Sequence, residues 1–229
     1  MKAKITEIFR SFQGEGKYVS AEQVFVRFFG CNANCLWCDT RYSRDEEKGS
    51  YKALRLDEVL REVIPLSYGC HSVSVTGGEP LCQADFLKQL LSALKEEKIN
   101  TYLETNGVLY KELSKVIDWV DIVSMDIKLH SSTGSGDYFK EHKQFLSIAK
   151  AKDCFVKMVI TNETSDEEAI NAAKLIREED KEILLVLQPE FSQMNYGSLA
   201  KCYEIEGICR KSLNNIRIIP QMHKLTEVR

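Results

Sequence analysis

The densest chemical feature of this 229-residue sequence is a set of three cysteines, Cys31, Cys35 and Cys38, within eight residues. They follow an apolar segment, lie in a predicted loop and can converge on one metal centre. Structural zinc usually takes four protein ligands, and no cysteine or histidine lies nearby at finger-like spacing to supply the fourth. Three thiolates can hold a [4Fe–4S] cluster and leave one iron open to another ligand. The spacing favours an iron–sulfur cluster; the alternatives are a zinc site completed by a distant residue, or three buried thiols.

Four other segments with polar and turn-forming residues follow predicted strands. One reads Thr-Gly-Gly-Glu-Pro, and its two glycines allow the backbone to approach a ligand closely. Another carries an Asn-Gly pair and a third a Gln-Pro pair, which are also common in turns. Because the carboxyl ends of parallel strands meet at one edge of a sheet, these segments predict a common site. They span residues 76–80, 105–107, 128–136 and 188–189.

Short segments rich in Val, Ile and Phe alternate along the chain with longer amphipathic segments. The alternation predicts βαβ units and a mostly parallel sheet in a single α/β domain over residues 1–229. About six or seven such units suit a partial or full barrel, or an open twisted sheet, and periodicity does not separate these architectures. Strands are predicted over residues 23–29, 72–75, 101–104, 122–127, 155–160, 183–187 and 216–219, and helices over 56–64, 84–97, 138–151, 166–178 and 196–211.

Composition and charge limit the classes of function. Hydrophobic residues make up 44% of the chain, which is enough for a core, and the formal net charge of −3 gives no footprint for direct nucleic-acid binding. No apolar run approaches the roughly 18 residues of a membrane span. Residues 1–10 alternate charged and apolar side chains, unlike a signal peptide, and we expect a cytoplasmic location. In a reducing compartment, the five cysteines outside the triplet are expected to be buried free thiols.

The spacing Cys-x3-Cys-x2-Cys, with the aromatic Trp37 before the last cysteine, resembles the radical S-adenosylmethionine (SAM) superfamily. In that superfamily, SAM chelates the open iron of a [4Fe–4S] cluster through its amino and carboxylate groups. One electron from the cluster cleaves SAM to methionine and a 5′-deoxyadenosyl radical, which takes a hydrogen from the substrate. The Thr-Gly-Gly-Glu-Pro segment resembles the one that binds the amino end of SAM. The resemblance implies a partial (β/α) barrel of the radical SAM type.

A narrower resemblance covers nearly the whole chain. Several motifs taken together closely resemble the 7-carboxy-7-deazaguanine synthase family. That family converts 6-carboxy-5,6,7,8-tetrahydropterin to 7-carboxy-7-deazaguanine with loss of ammonia, on the route to queuosine and related deazapurines. The resemblance also implies Mg2+, a reductant such as flavodoxin or ferredoxin, and a homodimer. The matching segments are residues 7–16, 25–27, 39–40, 124–128, 188–189 and 219–224.

The family resemblance implies roles for individual residues. It implies that Thr40 is the protein ligand of Mg2+, whose preference for oxygen ligands suits a hydroxyl. It implies that Arg27 contacts the substrate, since a guanidinium can hold a carboxylate through two hydrogen bonds. The implied substrate contacts are Phe12, Gln13, Gly14, Arg27 and Thr76. The implied SAM contacts are Trp37, Cys38, Asp39, Gly78, Glu79, Thr105, Asn106, Ser124, Met125, Asp126 and Gln188.

Several of these assignments have structural alternatives. Thr40 would instead cap the following segment, and Arg27 would form a salt bridge to Glu15 or Glu79. Met125 would fill the core, which is the commoner position of a strand methionine. The remaining alternatives are ordinary turns at Gly14, at residues 106–107 and at residues 188–189.

Two other functions stay open. A glycyl-radical activase shares the cysteine spacing and acts on a protein. The Gln-Gly-Glu-Gly segment, Arg27 and the Asp39-Thr40 pair weigh against it, because they suit a small anionic substrate and a metal. A non-catalytic zinc-binding or scaffolding protein is the second. Dependence of turnover on Mg2+ would argue against the first, and a colourless preparation with one zinc per chain would support the second.

Overall fold

One mixed sheet of nine strands runs through the molecule. The computed structural model describes residues 1–45, 47, 49–134, 136–194 and 196–226. The strands are β1 (Lys2–Phe12), β2 (Glu22–Phe28), β3 (Lys52–Arg55), β4 (Ser72–Gly77), β5 (Thr101–Thr105), β6 (Ile122–Ile127), β7 (Asp153–Ile160), β8 (Leu184–Pro189) and β9 (Ile216–Ile218). The helices are α1 (Leu56–Leu66), α2 (Ala84–Glu96), α3 (Tyr110–Val116), α4 (His130–Thr133), α5 (Phe139–Ala149), α6 (Asp166–Asp180), α7 (Tyr196–Cys209) and α8 (Met222–Thr226).

The strand order is β3-β1-β2-β4-β5-β6-β7-β8-β9. β1 is antiparallel to β2 and β3, and every neighbouring pair from β2 to β9 is parallel. The predicted α/β class and mostly parallel sheet are therefore confirmed. Within the described residues, β3 and β9 lie at opposite ends of the order and do not pair, so the barrel is partial and open.

The long N-terminal strand β1 is missing from the predicted elements. The alternation of charged and apolar residues in its sequence has the two-residue period of a strand, and Ala3 and Ile5 are buried while Lys2 and Lys4 are exposed. β3 and α3 are also missing, because segments of four and seven residues carry too few periodic positions to be distinguished from loops.

The two faces of the sheet differ in chemistry although both are buried. Residues such as Val26 and Leu103 belong to the main core, which lies under the helices. The residues next to them in each strand point to the opposite, inner face, because side chains alternate along a strand. Near the carboxyl ends of the strands these inner residues are polar or charged: Arg27, Thr76, Glu104, Asp126 and Lys157.

A small apolar cluster fills the inner face nearer the amino ends of the strands. Tyr102 and Phe155 are buried there with residues of β6 and β8. Tyr18, from the loop after β1, packs on both, with ring centroids 6.1 Å and 6.5 Å away. This cluster occupies one end of the partial barrel, and a cavity opens towards the carboxyl ends of the strands.

The long helices agree with the sequence predictions to within a few residues. In α2, Leu87, Leu90 and Leu94 are completely buried, as their spacing predicts. α6 begins after Ser165, whose side-chain oxygen accepts the Glu168 N–H at 3.2 Å, and its first turn is acidic. These helices cover the outer face and hold the strand ends in place.

The cysteines outside the triplet are all free thiols, but not all are buried. Cys202 and Cys209 lie in the core, Cys70 and Cys154 are half-buried, and Cys82 is exposed. The expectation of a buried thiol is therefore wrong for Cys82. Among the described residues, no helix combines the length and the apolar character that crossing a membrane requires.

We predict that Gly78→Ala destabilises the fold. A Cβ at this position would lie 2.2 Å from the carbonyl oxygen of Gly30, a rigid backbone atom. Overpacking of this kind costs roughly 1–3 kcal/mol of unfolding free energy, measurable by urea denaturation. Gly207→Ala is the matched control, because nothing lies within 4 Å of its Cβ position on α7 and alanine favours a helix by about 1 kcal/mol. Equal effects of the two substitutions would contradict this interpretation.

Candidate functional site

One cavity opens at the carboxyl ends of the parallel strands, where the sequence predicts the site. It is lined by every predicted site residue except Glu79 and Met125. Met125 lies on the outer face of β6 and belongs to the main core. The Met125 side chain therefore fills the core, as the structural alternative for this residue predicts.

The cysteine triplet lies in the loop that follows β2. Cys35 is buried and Cys31 and Cys38 are half-buried, and all three line the cavity. Backbone hydrogen bonds hold the loop at both ends: Gly30 N–H donates to the Ser43 carbonyl at 2.8 Å, and Leu36 N–H donates to the Thr133 carbonyl at 3.1 Å. Burial raises the pKa of the Cys31 thiol to about 11.

The spacing of the three sulfurs argues against a single zinc ion. Ligands of one zinc at about 2.3 Å cannot lie more than about 4.6 Å apart. In the described part of the chain, the only group of three or more His, Cys, Asp or Glu ligand atoms within 4.8 Å of one another is Glu15, Asp39 and His223. The three thiols therefore do not form a group close enough for one ion, whereas three thiolates can hold a [4Fe–4S] cluster, which contains several metal atoms.

The Gly-Gly pair at the carboxyl end of β4 packs against the backbone that leads into the cysteine loop. Gly77 has φ +140°, and a Cβ there would lie 2.2 Å from the Phe28 carbonyl oxygen. Gly78 N–H donates to that same oxygen at 3.1 Å, and Glu79 N–H donates to the Gly30 carbonyl at 2.8 Å. The glycines therefore permit the β4 loop to pack directly against the backbone that carries Cys31.

Glu79 lies behind the cavity and connects two strand-end loops. Its carboxylate accepts hydrogen bonds from the Asn106 N–H at 2.8 Å, the Thr105 hydroxyl at 3.0 Å and the Leu81 N–H at 3.1 Å. Burial raises its pKa to about 7 despite these donors. The Asn106 side chain in turn donates to Asn32 Oδ1 in the cysteine loop at 2.8 Å. The Asn106 side-chain oxygen accepts the Val108 N–H at 3.1 Å across Gly107 (φ +70°), which is a side-chain turn, and the same asparagine lines the cavity.

Four buried polar atoms on residues that line the cavity have no hydrogen-bond partner within the described protein. They are Trp37 Nε1, Ser124 Oγ, Asp126 Oδ1 and Gln188 Oε1. Buried polar groups are almost always hydrogen-bonded, and an orphaned one costs about 1–3 kcal/mol. One N–H donor, one hydroxyl and two acceptor oxygens without a protein partner fit a bound polar ligand such as SAM. Gln188 and Pro189 are the last residues of β8, so the alternative of an ordinary turn at residues 188–189 is wrong.

Thr40 lies at the cavity wall and does not cap the next segment. The 3-10 helix Arg41–Ser43 follows it, but the Thr40 side chain makes no capping hydrogen bond. Its hydroxyl lies 3.8 Å from Cys38 Sγ. The capping alternative is therefore wrong, and a hydroxyl oxygen beside the cysteine loop fits a Mg2+ ligand.

Arg27 has a different partner from those proposed as the structural alternative. Its Nε donates to Glu7 Oε1 at 2.8 Å, and the Tyr42 hydroxyl donates to the same oxygen at 2.9 Å. A salt bridge to Glu15 or Glu79 is therefore not the arrangement found. The guanidinium is 14% exposed and lines the cavity, where its remaining N–H groups suit an anion.

Glu104 is a cavity residue that sequence reasoning missed. Its carboxylate accepts from Gln13 Nε2 at 2.8 Å and from the Thr76 hydroxyl at 2.6 Å. Gln13 also donates to Gln23 Oε1 at 3.0 Å, which fixes its amide. Glu104 could have been identified from the sequence as an acidic residue in an apolar strand, because a buried charge needs a partner.

A buried ion pair between Lys157 and Glu15 forms the opposite wall and was also missed. Gln221, in the segment before α8, donates to Glu15 at 2.7 Å and to Asp39 at 3.2 Å. Burial alone would raise the pKa of Glu15, but Lys157 and Gln221 lower it to about 2. Glu15 therefore stays ionised, and Gln221 connects it to the cysteine loop. Lysine in the apolar strand sequence of β7 was the signal.

We predict that Lys157→Met destabilises the fold strongly and in a pH-dependent way. Glu15 has a lowered pKa of about 2 against an ordinary 4.5, so its stabilising contribution is complete above pH 4.5 and lost below it. Without Lys157 the buried carboxylate is unpaired, which costs roughly 3–5 kcal/mol near pH 7. The pKa of Glu15 must then rise in the variant, so that the carboxyl takes up a proton as the pH falls. The difference in unfolding free energy between the variant and the unmodified protein is therefore smaller at pH 5 than at pH 7.

Urea denaturation at both pH values measures this effect. Lys143→Met is the matched control, since Lys143 forms an exposed pair with Glu178 on the surface and such pairs contribute about 1 kcal/mol or less. A Lys157→Met loss no larger than that of the control would contradict the role of the pair.

Comparisons with known proteins identify the family of this chain. Residues 25–190 match the family model described as the radical SAM superfamily. The chain is 36% identical to the 7-carboxy-7-deazaguanine synthase of Geobacter sulfurreducens, over 97% of this chain and 96% of that protein. It is 33% identical to the 7-carboxy-7-deazaguanine synthase of Methanothermobacter thermautotrophicus, over 100% and 99% of the two chains.

Solved structures share the fold. QueE from Escherichia coli superposes with a TM-score of 0.70 at 23% identity, over 97% of this chain and 95% of that one. SuiB from Streptococcus suis bound to S-adenosylmethionine gives a TM-score of 0.59 at 20% identity, over 83% and 48% of the two chains. With identity above 30% over nearly the full length of curated relatives, this chain belongs to the 7-carboxy-7-deazaguanine synthase family of the radical SAM superfamily.

Proposed function

We propose that this protein converts 6-carboxy-5,6,7,8-tetrahydropterin to 7-carboxy-7-deazaguanine with loss of ammonia, in the biosynthesis of queuosine-type deazapurines. The observation that carries the proposal is a single cavity in which three thiols, unpaired polar atoms and a fixed set of charged side chains meet. Its family membership gives the reaction, and the cavity supplies the groups that the reaction needs.

Cys31, Cys35 and Cys38 would hold the [4Fe–4S] cluster, and SAM would bind beside it. When bound, the cluster and SAM supply the one-electron chemistry that generates a 5′-deoxyadenosyl radical. The open acceptors of Asp126 and Gln188 suit the amino and ribose hydroxyl groups of SAM.

Arg27, Gln13, Thr76 and Glu104 form the proposed substrate wall. A pterin presents an amino group and a ring N–H along one edge, and a carboxylate such as Glu104 accepts hydrogen bonds from donors of this kind. Gln13 and Thr76 hold Glu104 in place. Arg27 suits the substrate carboxylate. Phe12 is half exposed at the cavity mouth and Gly14 lies beside His223, so both border the entrance for a small molecule.

Thr40 is proposed as the Mg2+ ligand from the protein. Mg2+ keeps several ligands from water or substrate, so one hydroxyl and a substrate carboxylate suffice to place it. Asp39 is the neighbouring carboxylate, and it is already engaged by Lys224 at 3.0 Å and by Gln221.

The alternatives fit the site less well. A glycyl-radical activase must admit a segment of a partner protein, whereas here the charged groups of the cavity are bonded to one another in a fixed, mostly buried arrangement. A zinc-binding role needs closer sulfurs. We also propose an electron-donor protein such as flavodoxin or ferredoxin as reductant, a homodimer, and a cytoplasmic location.

The reaction itself is the first test. Protein purified without oxygen, loaded with iron and sulfide and reduced, should convert 6-carboxytetrahydropterin with SAM and Mg2+ to 7-carboxy-7-deazaguanine and 5′-deoxyadenosine, detected by mass spectrometry. Cys35→Ala removes one of three cluster ligands and should abolish both products. The matched control is Cys202→Ala, a buried core thiol on α7, which should retain both. 5′-Deoxyadenosine without the deazaguanine would contradict the proposed substrate.

A second test addresses Thr40. Thr40→Val removes the hydroxyl with little change in shape, so we expect the Mg2+ stimulation of kcat/KM to fall by at least about tenfold, since a missing hydrogen-bonding or ligand group is worth about 1.4 kcal/mol or more. Thr40→Ser keeps the oxygen and should retain the stimulation. Mg2+ titration of both variants gives the measurement. Equal Mg2+ dependence in the valine variant and the unmodified protein would rule Thr40 out as the ligand.

A further inference from the structure

Lys128 is a buried cation at the cavity wall that no part of the proposed reaction uses. It follows directly after β6, and its side chain is 10% exposed. Its ammonium donates to Asp126 Oδ2 at 2.7 Å. It also lies 4.4 Å from the ring centroid of Trp37, which stands between Cys35 and Cys38 in the cysteine loop. These two contacts hold a positive charge against the loop that carries the thiols.

The Lys128 side chain and the three cysteines line the same cavity. Trp37, whose ring the ammonium contacts, comes two residues after Cys35 and directly before Cys38. Lys128 is therefore a buried positive charge held against the loop that carries the cluster ligands.

Lys128 stays protonated in this environment. Burial alone would lower its pKa, but Asp126 and the Cys35 side chain outweigh burial and leave the pKa raised. The buried His142, which packs against the Lys128 backbone, has a pKa lowered by burial to about 4 and is therefore neutral.

A cation in this position has a defined effect on an iron–sulfur cluster. Reduction adds one electron to the cluster and forms or breaks no bond, and the electron comes from the external reductant. The potential of a cluster depends on the net charge and solvent exposure around it. Electrostatic attraction is stronger at a partly desolvated site than in water, so a buried ammonium favours the reduced, more negative state. Asp126, its partner, opposes this effect.

We propose that Lys128 raises the reduction potential of the cluster bound by Cys31, Cys35 and Cys38, and that Asp126 offsets part of its charge. Lys128 is thus a positioning and electrostatic residue for electron uptake. The inference rests on the cluster of the proposed function, but not on the identity of the pterin substrate.

The test is a redox titration of the reconstituted protein, followed by the electron paramagnetic resonance signal of the reduced cluster, without SAM or substrate. In Lys128→Gln, at a fixed potential, we expect the ratio of reduced to oxidised cluster to fall by about tenfold, which corresponds to a potential about 59 mV more negative for a one-electron couple. Lys128→Arg keeps the charge and should stay close to the unmodified protein. Asp126→Asn removes the opposing charge and should shift the ratio in the other direction.

Lys143→Gln is the matched control, because Lys143 lies on the exposed face of α5 and pairs with Glu178. A Lys128→Gln protein with a full iron load and the potential of this control would overturn the proposal. If Lys128→Gln does not bind iron, the Asp126→Asn titration decides, and an unchanged or more negative potential there overturns it. Potential shifts of the expected signs support the proposal even if the protein fails to convert the pterin. Failure of the proposed reaction is therefore distinguishable from failure of the proposal on Lys128.

Discussion

Charged side chains on the inner face of this sheet must be paired or hydrogen-bonded where they lie, as Glu104 is to Gln13 and Thr76, because burying an uncompensated charge costs several kcal/mol. The pairs found are Arg27 with Glu7, Lys157 with Glu15, and Lys128 with Asp126. The first pair connects β2 to the N-terminal strand β1, and the second connects β7 to the loop after β1. The third connects β6 to the residue that directly follows it. Pairing therefore fixes the positions of the groups that surround the cavity, and the cavity keeps its shape before any ligand binds.

Close backbone contact fixes the position of the cysteine loop. Gly77 and Gly78 let the β4 loop lie against Phe28 and Gly30, and Glu79 then ties this loop to the next strand end through Asn106. Three consecutive strand ends are thus connected by hydrogen bonds behind the thiols. The arrangement places the cluster ligands on a rigid support while one side of the cavity remains free for cofactor and substrate.

The sequence alone predicted the parts that depend on local residues. The cysteine triplet, the Gly-Gly turn and the long amphipathic helices were all identified, because spacing and periodicity carry them. The partner of Arg27 was not predicted. Glu7 lies on β1, which is missing from the predicted elements, and it comes to lie opposite Arg27 through the antiparallel register of β1 and β2. Lys157, Glu104 and Gln221 were missed for the same reason: their roles arise from strand register and from the return of the C-terminal segment to Glu15. Barrel closure also depends on long-range pairing, which periodicity does not encode.

The central claim is that one cavity holds both the radical-generating site and the substrate. The most direct measurement is to supply 6-carboxytetrahydropterin with deuterium on its ring carbons and to determine the mass of the 5′-deoxyadenosine that forms. If the two sites share the cavity, deuterium from the substrate will appear in 5′-deoxyadenosine in step with formation of 7-carboxy-7-deazaguanine. Product formation accompanied only by unlabelled 5′-deoxyadenosine, with the deuterated carbons each examined in turn, would contradict the claim.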